Sequence, residues 1–274
     1  MSNQHLIYSV NDGIVTLTLN RPDKLNAINA ELENDLIEKF KEIEHDKSIS
    51  VVVIRGSGRA FCSGADMSGD AELGTEDVQG WRSAFLRTHR LLNAMVQLPK
   101  PVIAATHGYA LGMGFYIATA SDIIISTMDC KFGVPEIRHG QSSTGWVPVW
   151  NVSRNMMMEL LLTGDMIDGS RAKEIGLVNM AVPAEKLDLE VERLSRKLAL
   201  IDPTVLAMNK ATINFWYSMI NQEIASLYSV ETNSVINVSE PRKRWDKIYR
   251  KEGIRAFLKK RDEPFNKIDR EAKP

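Results

Sequence analysis

The sequence predicts an α/β fold, and three observations carry the prediction. Short apolar runs of strand length recur over the first two hundred residues, amphipathic stretches of helix length separate them, and glycine-rich segments follow directly on several of the runs. Strands alternating with helices are the pattern of α/β proteins.

The elements follow in order. Leu6 to Val10 and Ile14 to Leu19 flank the turn signal Asn11-Asp12-Gly13. In the second arm Val15, Leu17 and Leu19 share one face, a period of two that makes a strand and closes a hairpin. Asn29 is placed to cap a helix whose Leu32, Leu36, Phe40 and Ile43 recur every three or four residues. Val51–Ile54, Val102–Ala105, Ile123–Ile125 and Leu177–Val182 are mostly apolar runs that suit buried strands. Between them, Trp81, Phe85, Leu92 and Val96 mark a helix ending before Pro99, and Gly114 to Ala120 a short one. Ser153 caps a run from Met156 to Leu162, and Ser170 opens a short helix that Gly176 ends. No sequence period repeats cleanly enough to show a solenoid. After Pro203 strand signals stop: Thr204 to Val230 reads as one long helical stretch and Gly253 to Lys260 as a shorter one. The expected division is a core over residues 1–202 and a helical region over 203–274. That tail either packs on the core or builds an oligomer.

Composition narrows the function. Across 274 residues, 44% are hydrophobic and 25% charged, which gives a core and excludes a disordered chain. The 34 basic and 35 acidic side chains nearly cancel, so no global field favours nucleic acid or an anionic membrane. No apolar run reaches the roughly 18 residues of a membrane span. Met1 to His5 lack the basic start of a secretory leader, so a cytoplasmic protein is expected. Cys62 and Cys130 have no metal-type spacing and suggest neither a zinc site nor a disulfide framework.

The common catalytic motifs are absent: no G-x-S-x-G elbow, no P-loop, no H-E-x-x-H pair. None of the five histidines has a partner at ligand spacing; they are read as structural or solvated, with exposure to solvent the simplest reading of His139. Two loops stand out instead. Val51 to Arg55 runs into Gly56-Ser57-Gly58-Arg59-Ala60-Phe61-Cys62-Ser63-Gly64-Ala65-Asp66. Val102 to Thr106 runs into His107-Gly108-Tyr109-Ala110-Leu111-Gly112-Met113-Gly114, just before a predicted helix. Such loops are either tight turns at strand ends or, side by side, a pair of amides aimed at one oxyanion.

Five blocks carry a resemblance. Asn20-Arg21-Pro22-Asp23-Lys24-Leu25-Asn26-Ala27, Ala60 to Asp66, Lys100 to Ala105, Phe132-Gly133-Val134-Pro135-Glu136, and Gly253 to Arg261 resemble, in order, the crotonase (enoyl-CoA hydratase/isomerase) superfamily. The resemblance implies a crotonase-like spiral of ββα turns, a C-terminal helical oligomerisation region forming trimers or hexamers, and an acyl-CoA thioester substrate. No cofactor is implied, because coenzyme A is part of the substrate; nucleic acid and membrane partners are not expected. Carried over residue by residue, the oxyanion donors are the backbone N–H groups of Ala65 and Met113. Glu136 is the catalytic acid/base. Lys24, Leu25, Ala27, Ser63, Asp66 and Met67 line the CoA path, and Lys260 lies near its phosphates.

Two departures matter. Met113 stands where glycine is usual, which an amide donor tolerates. Tyr116 stands where hydratases carry a second glutamate, so Tyr116 either contacts substrate or water or fills the pocket. A lone glutamate fits a double-bond isomerase, a hydroxycinnamoyl-CoA-type hydratase-lyase or an atypical hydratase. An acyl-CoA hydrolase is a further outcome, and a non-catalytic acyl-CoA- or RNA-binding protein is the rival class. Thr144 departs from the acidic residue of dienoyl-CoA isomerases, and Trp146 either walls the acyl pocket or joins the core. The run Arg242-Lys243-Arg244 reads as a solvated face.

Overall fold

A computed structural model describes residues 5–67, 77–142, 152–219 and 222–271. The first two strands, β1 (Leu6–Asn11) and β2 (Ile14–Leu19), form the expected antiparallel hairpin. Asp12 and Gly13 both take positive φ, 48° and 75°, as the tight two-residue turn requires. Asn29 caps α1 (Ala30–His45), its side chain accepting from Leu32 N at 3.0 Å.

Strand β3 (Val51–Gly56) lies parallel to β2, followed by α2 (Val78–Gln97), β4 (Val102–Thr106) and β5 (Tyr109–Leu111). Then come α3 (Met113–Ala120), β6 (Ile123–Thr127), β7 (Lys131–Gly133), α4 (Arg154–Thr163), α5 (Gly169–Glu174) and β8 (Met180–Val182). The main sheet has the order β1-β2-β3-β4-β6-β8, parallel beyond the hairpin, while β5 and β7 pair as a second small parallel sheet. The turns that carry β4 and β6 thus each supply one strand to the main sheet and one short strand, β5 or β7, to a second layer, while Ile28, Cys62 and Ala65 add single bridges there. A helix then follows, and the result is a spiral of ββα turns.

Both faces of the main sheet are covered, which is why its strands read as unbroken apolar runs. Val52, Ile54 and Ala104 join the larger core with α1, α2 and α3. Val51, Val53, Ile103 and Ile125 face α6 (Leu187–Ala199) through Leu187 and Val191.

Four expectations need correction. The last strand is shorter than Leu177–Val182: it starts at Met180, because Leu177 and Val178 are spent on the core beside Ala172. The short helix is opened by Asp168, not Ser170, since Asp168 Oδ1 accepts from Arg171 N at 2.8 Å. The stretch Thr204–Val230 is two helices, α7 (Pro203–Ser218) and α8 (Gln222–Ile236). Finally, Gly253 does not begin a helix but breaks one: α9 (Glu240–Glu271) is interrupted there by φ 78° and ψ 173°. Among the described residues no helix is long and apolar enough to cross a membrane.

Candidate active site

The two glycine-rich loops do lie side by side. Phe61 N donates to His107 O at 2.8 Å, Cys62 N to Tyr109 O at 2.8 Å, and Leu111 N to Cys62 O at 3.0 Å. Cys62 is therefore bridged to Ala110, and Ala65 and Met113 each stand three residues further along. Close approach is enforced by glycine: a Cβ on Gly114 would meet Cys62 O at 2.4 Å.

The block Asn20–Ala27 fastens this arrangement from below. Asn26, fully buried, donates from Nδ2 to Ser57 O and Ala60 O at 2.8 and 2.7 Å and accepts from Arg21 N. Ile28 N donates to Gly64 O, and Asp66 N donates to Ile28 O. In such a parallel bridge Gly64 and Asp66 face Ile28, so the intervening Ala65 N–H points the other way. It has no backbone acceptor among the described residues, and nor has Met113 N at the first turn of α3.

Glu136 arrives from the far side. Its backbone sits in a short 3-10 turn, Pro135–His139, directly after β7. Gly112 has φ 50° and ψ −114°, and a Cβ built on it would stand 1.8 Å from Glu136 Oε1. A Cβ on Gly64 would stand 4.0 Å from the same oxygen. The carboxylate thus rests on the glycine that precedes Met113 and faces the glycine that precedes Ala65. Although Glu136 as a residue keeps some surface, its Oε2 is sealed and has no hydrogen-bond partner among the described residues. Burial pushes its pKa up to about 7, against the opposing pull of its own backbone N–H and of the Arg261 and Arg242 guanidinium groups. A carboxyl titrating near neutrality can both take and return a proton.

Ala65, Asp66, Met67, Met113, Tyr116 and Glu136 line one cleft. Asp66 does so with its carboxylate held by Arg21 Nη2 at 2.6 Å, so its charge is already matched. Tyr116 is buried, edge-on to Phe115. Lys24, Leu25, Ala27 and Ser63 belong to the adjoining loop pair, where Ser63 N donates to Leu25 O at 3.0 Å and Lys24 is exposed. Lys260 does not line the cleft; its Nζ pairs with Glu252 Oε1 at 2.6 Å. Thr144 and Trp146 lie outside the described residues.

Two readings of charge and exposure are reversed. His139 does not face solvent: it is buried edge-on against Phe257 at 5.2 Å, and burial drives its pKa down to about 3. Arg242 is not on a solvated face but is 1% exposed and lines the cleft. The physical cause is the same in both cases. The C-terminal helices fold over the Glu136 turn, and Phe257 with its rings packs there.

Sequence reasoning also missed the apolar wall. Trp81 and Phe85, stacked at 5.6 Å on α2, line the cleft together with Thr88. Their spacing marked them as core, and a wall and a core carry the same helical period. Gln141 and Ser142 complete the lining, fastened to the buried Asn237 and Asn233 of the tail. The cleft thus draws on both sides of the expected boundary at 202/203. Among the described residues no group of three His, Cys, Asp or Glu is placed to hold a metal.

Comparison with known proteins gives the family. The enoyl-CoA hydratase/isomerase family model matches residues 9–268. The mitochondrial enoyl-CoA hydratase of Pongo abelii is 32% identical over 258 residues, covering 93% of this chain and 84% of that protein. The 1,2-epoxyphenylacetyl-CoA isomerase of Escherichia coli K12 is 30% identical, covering 96% and 98%. A crystal structure of an enoyl-CoA hydratase/isomerase from Xanthobacter autotrophicus Py2 superposes with a TM-score of 0.92 at 29% identity, over 96% of this chain and 99% of that one. The fold, the order of its blocks and these matches together make the chain an enzyme of the enoyl-CoA hydratase/isomerase family, within the crotonase superfamily.

Proposed function

We propose that the protein transfers protons on an acyl-CoA thioester through an enolate. The observation that carries this reading is the position of Glu136. Its carboxylate rests on Gly112, one residue before the Met113 amide, and faces Gly64, one residue before the Ala65 amide. Those two N–H groups bind the thioester oxygen as it gains charge, and loss of one such donor costs about 3 kcal/mol. Glu136, deprotonated, takes a proton from carbon and returns it elsewhere. Tyr116 shapes the site from the floor of the cleft, and Trp81 and Phe85 receive the acyl chain. CoA lies along Lys24, Leu25, Ala27, Ser63, Asp66 and Met67. Lys260 must leave Glu252 to reach its phosphates.

One feature favours proton shuttling over two-carboxylate hydration. Of the carboxylates among the described lining residues, Asp66 is matched by Arg21, which leaves Glu136 alone. An isomerase or a hydratase-lyase needs no second carboxylate. The chain also assembles as a trimer or hexamer in this reading, because Trp216 and Tyr228 are 66% and 71% exposed in the single chain.

A screen of enoyl-, dienoyl- and hydroxycinnamoyl-CoA, with products identified, tests the proposal. Glu136→Gln is expected to lose ~10²–10⁴ in turnover while still binding CoA esters, and Tyr116→Phe to lose less. Wild-type turnover by Glu136→Gln on the best substrate would refute it. His139 could not then replace Glu136 unaltered, because its depressed pKa makes it a weak base.

A further inference from the structure

The tail brings a cation, Arg242, into the cleft that holds Glu136. Arg242 lies near the start of α9, and its Nη2 pairs with Asp246 Oδ1 at 2.9 Å, one turn on. Its Nε and Nη1 have no hydrogen-bond partner among the described residues. The place is built for it. Gly140, with φ 82°, brings the turn after Glu136 against the Arg242 backbone, and a Cβ there would stand 3.0 Å from Arg242 N. Buried Asn233 and Asn237 fasten Ser142 and Gln141 beside it.

A buried guanidinium with unmade donors is costly unless an oxygen arrives to accept them. Glu136 does not supply that oxygen: among the described residues neither its Oε2 nor these two nitrogens have a hydrogen-bond partner. Asp246 takes up Nη2, and Arg242 lines the cleft that Met113, Tyr116 and Glu136 share, with its other two nitrogens buried. A ligand group that seats against Arg242 is therefore asked for an acceptor. An unbranched hydrocarbon chain has none.

We propose that Arg242 is a specificity residue that binds a carboxylate on the acyl group, beyond the reacting carbons, so that the preferred substrate is an acyl-CoA with an acidic acyl chain. The inference rests on the acyl-CoA reading of the site. A carboxylate suits these donors because it only accepts and offers several lone pairs.

Calorimetric titration with unreactive saturated thioesters tests it. Four-, five- and six-carbon α,ω-dicarboxylic acids joined to CoA at one end are compared with straight-chain acyl-CoAs of equal carbon count. At one length or more the acidic thioester should bind roughly ten- to hundredfold tighter to the wild type. Arg242→Met should bring that ratio close to one and leave the straight-chain thioesters within about threefold. Arg242→Lys should keep part of the ratio, and it carries the test should the Met variant fail to fold. A ratio near one at every length in the wild type overturns the inference alone, provided the straight-chain thioesters bind. A ratio that survives Arg242→Met also overturns it. So does a Met variant that moves only the pH midpoint of turnover, which would make Arg242 a positioning residue for Glu136. Failure of every thioester and of CoA to bind overturns the acyl-CoA reading, and this inference with it.

Discussion

Replacing Glu136 by Gln should make the protein more stable, and increasingly so as pH rises. Burial raises the Glu136 carboxyl from 4.5 to about 7 in the folded chain. Between those values the unfolded chain has released its proton while the folded chain still holds it, so the ionised residue favours unfolding. The penalty is nearly absent below the unfolded pKa and is complete above the folded one. Linkage over that interval gives about 0.8 kcal/mol at pH 5 and about 3 kcal/mol at pH 8. Gln has the shape of the protonated acid and no charge to bury, so it recovers that difference. Urea unfolding of both proteins at pH 5 and pH 8 reads the effect directly. A midpoint temperature higher by roughly 6–12 °C at pH 8 is the thermal equivalent. A difference that does not change with pH, or a variant that becomes less stable as pH rises, would refute the assignment of a buried, raised carboxyl. The expected outcome is that one substitution gains stability and loses turnover, as where function is served by a costly buried charge.

Two other outcomes follow from geometry. Gly112→Ala should lower turnover at least as far as ~10², the lower bound for loss of general acid–base catalysis. The added Cβ would fall 1.8 Å from Glu136 Oε1, and φ 50° with ψ −114° suits glycine alone; steady-state kinetics with a near-ultraviolet spectrum to verify folding decide it. Light scattering at micromolar concentration should return three or six times the 30.8 kDa chain mass, and Trp216→Asp should reduce it. A wild-type mass of one chain would refute the assembly.

Legibility differed by element and for identifiable reasons. The hairpin, α1 with its Asn29 cap and the runs Val51–Ile54 and Val102–Ala105 were plain, because each is a local pattern. The second sheet was not. Tyr109–Leu111 and Lys131–Gly133 are three-residue strands without alternation, and they become strands only by pairing with each other. Likewise the spiral has no clean sequence period, because each turn reuses the geometry with different spacers. Arg242 and His139 misled for a related reason: their charge and polarity predict water, but α9 packs over the turn that carries Glu136.

The sequence by itself determined the α/β class, the two glycine loops and, through its five blocks, the family. Those are properties of composition, local period and residue type, which a linear chain already displays. Tertiary structure decided what meets what. It set Cys62 beside Ala110 so that the Ala65 and Met113 amides fall in step. It matched Asp66 with Arg21, pressed Glu136 onto Gly112, and buried Arg242 at the cleft with two nitrogens unpartnered among the described residues. Each of these pairs is remote in sequence, so its distance, its burial and its charge arise only when the chain closes on itself.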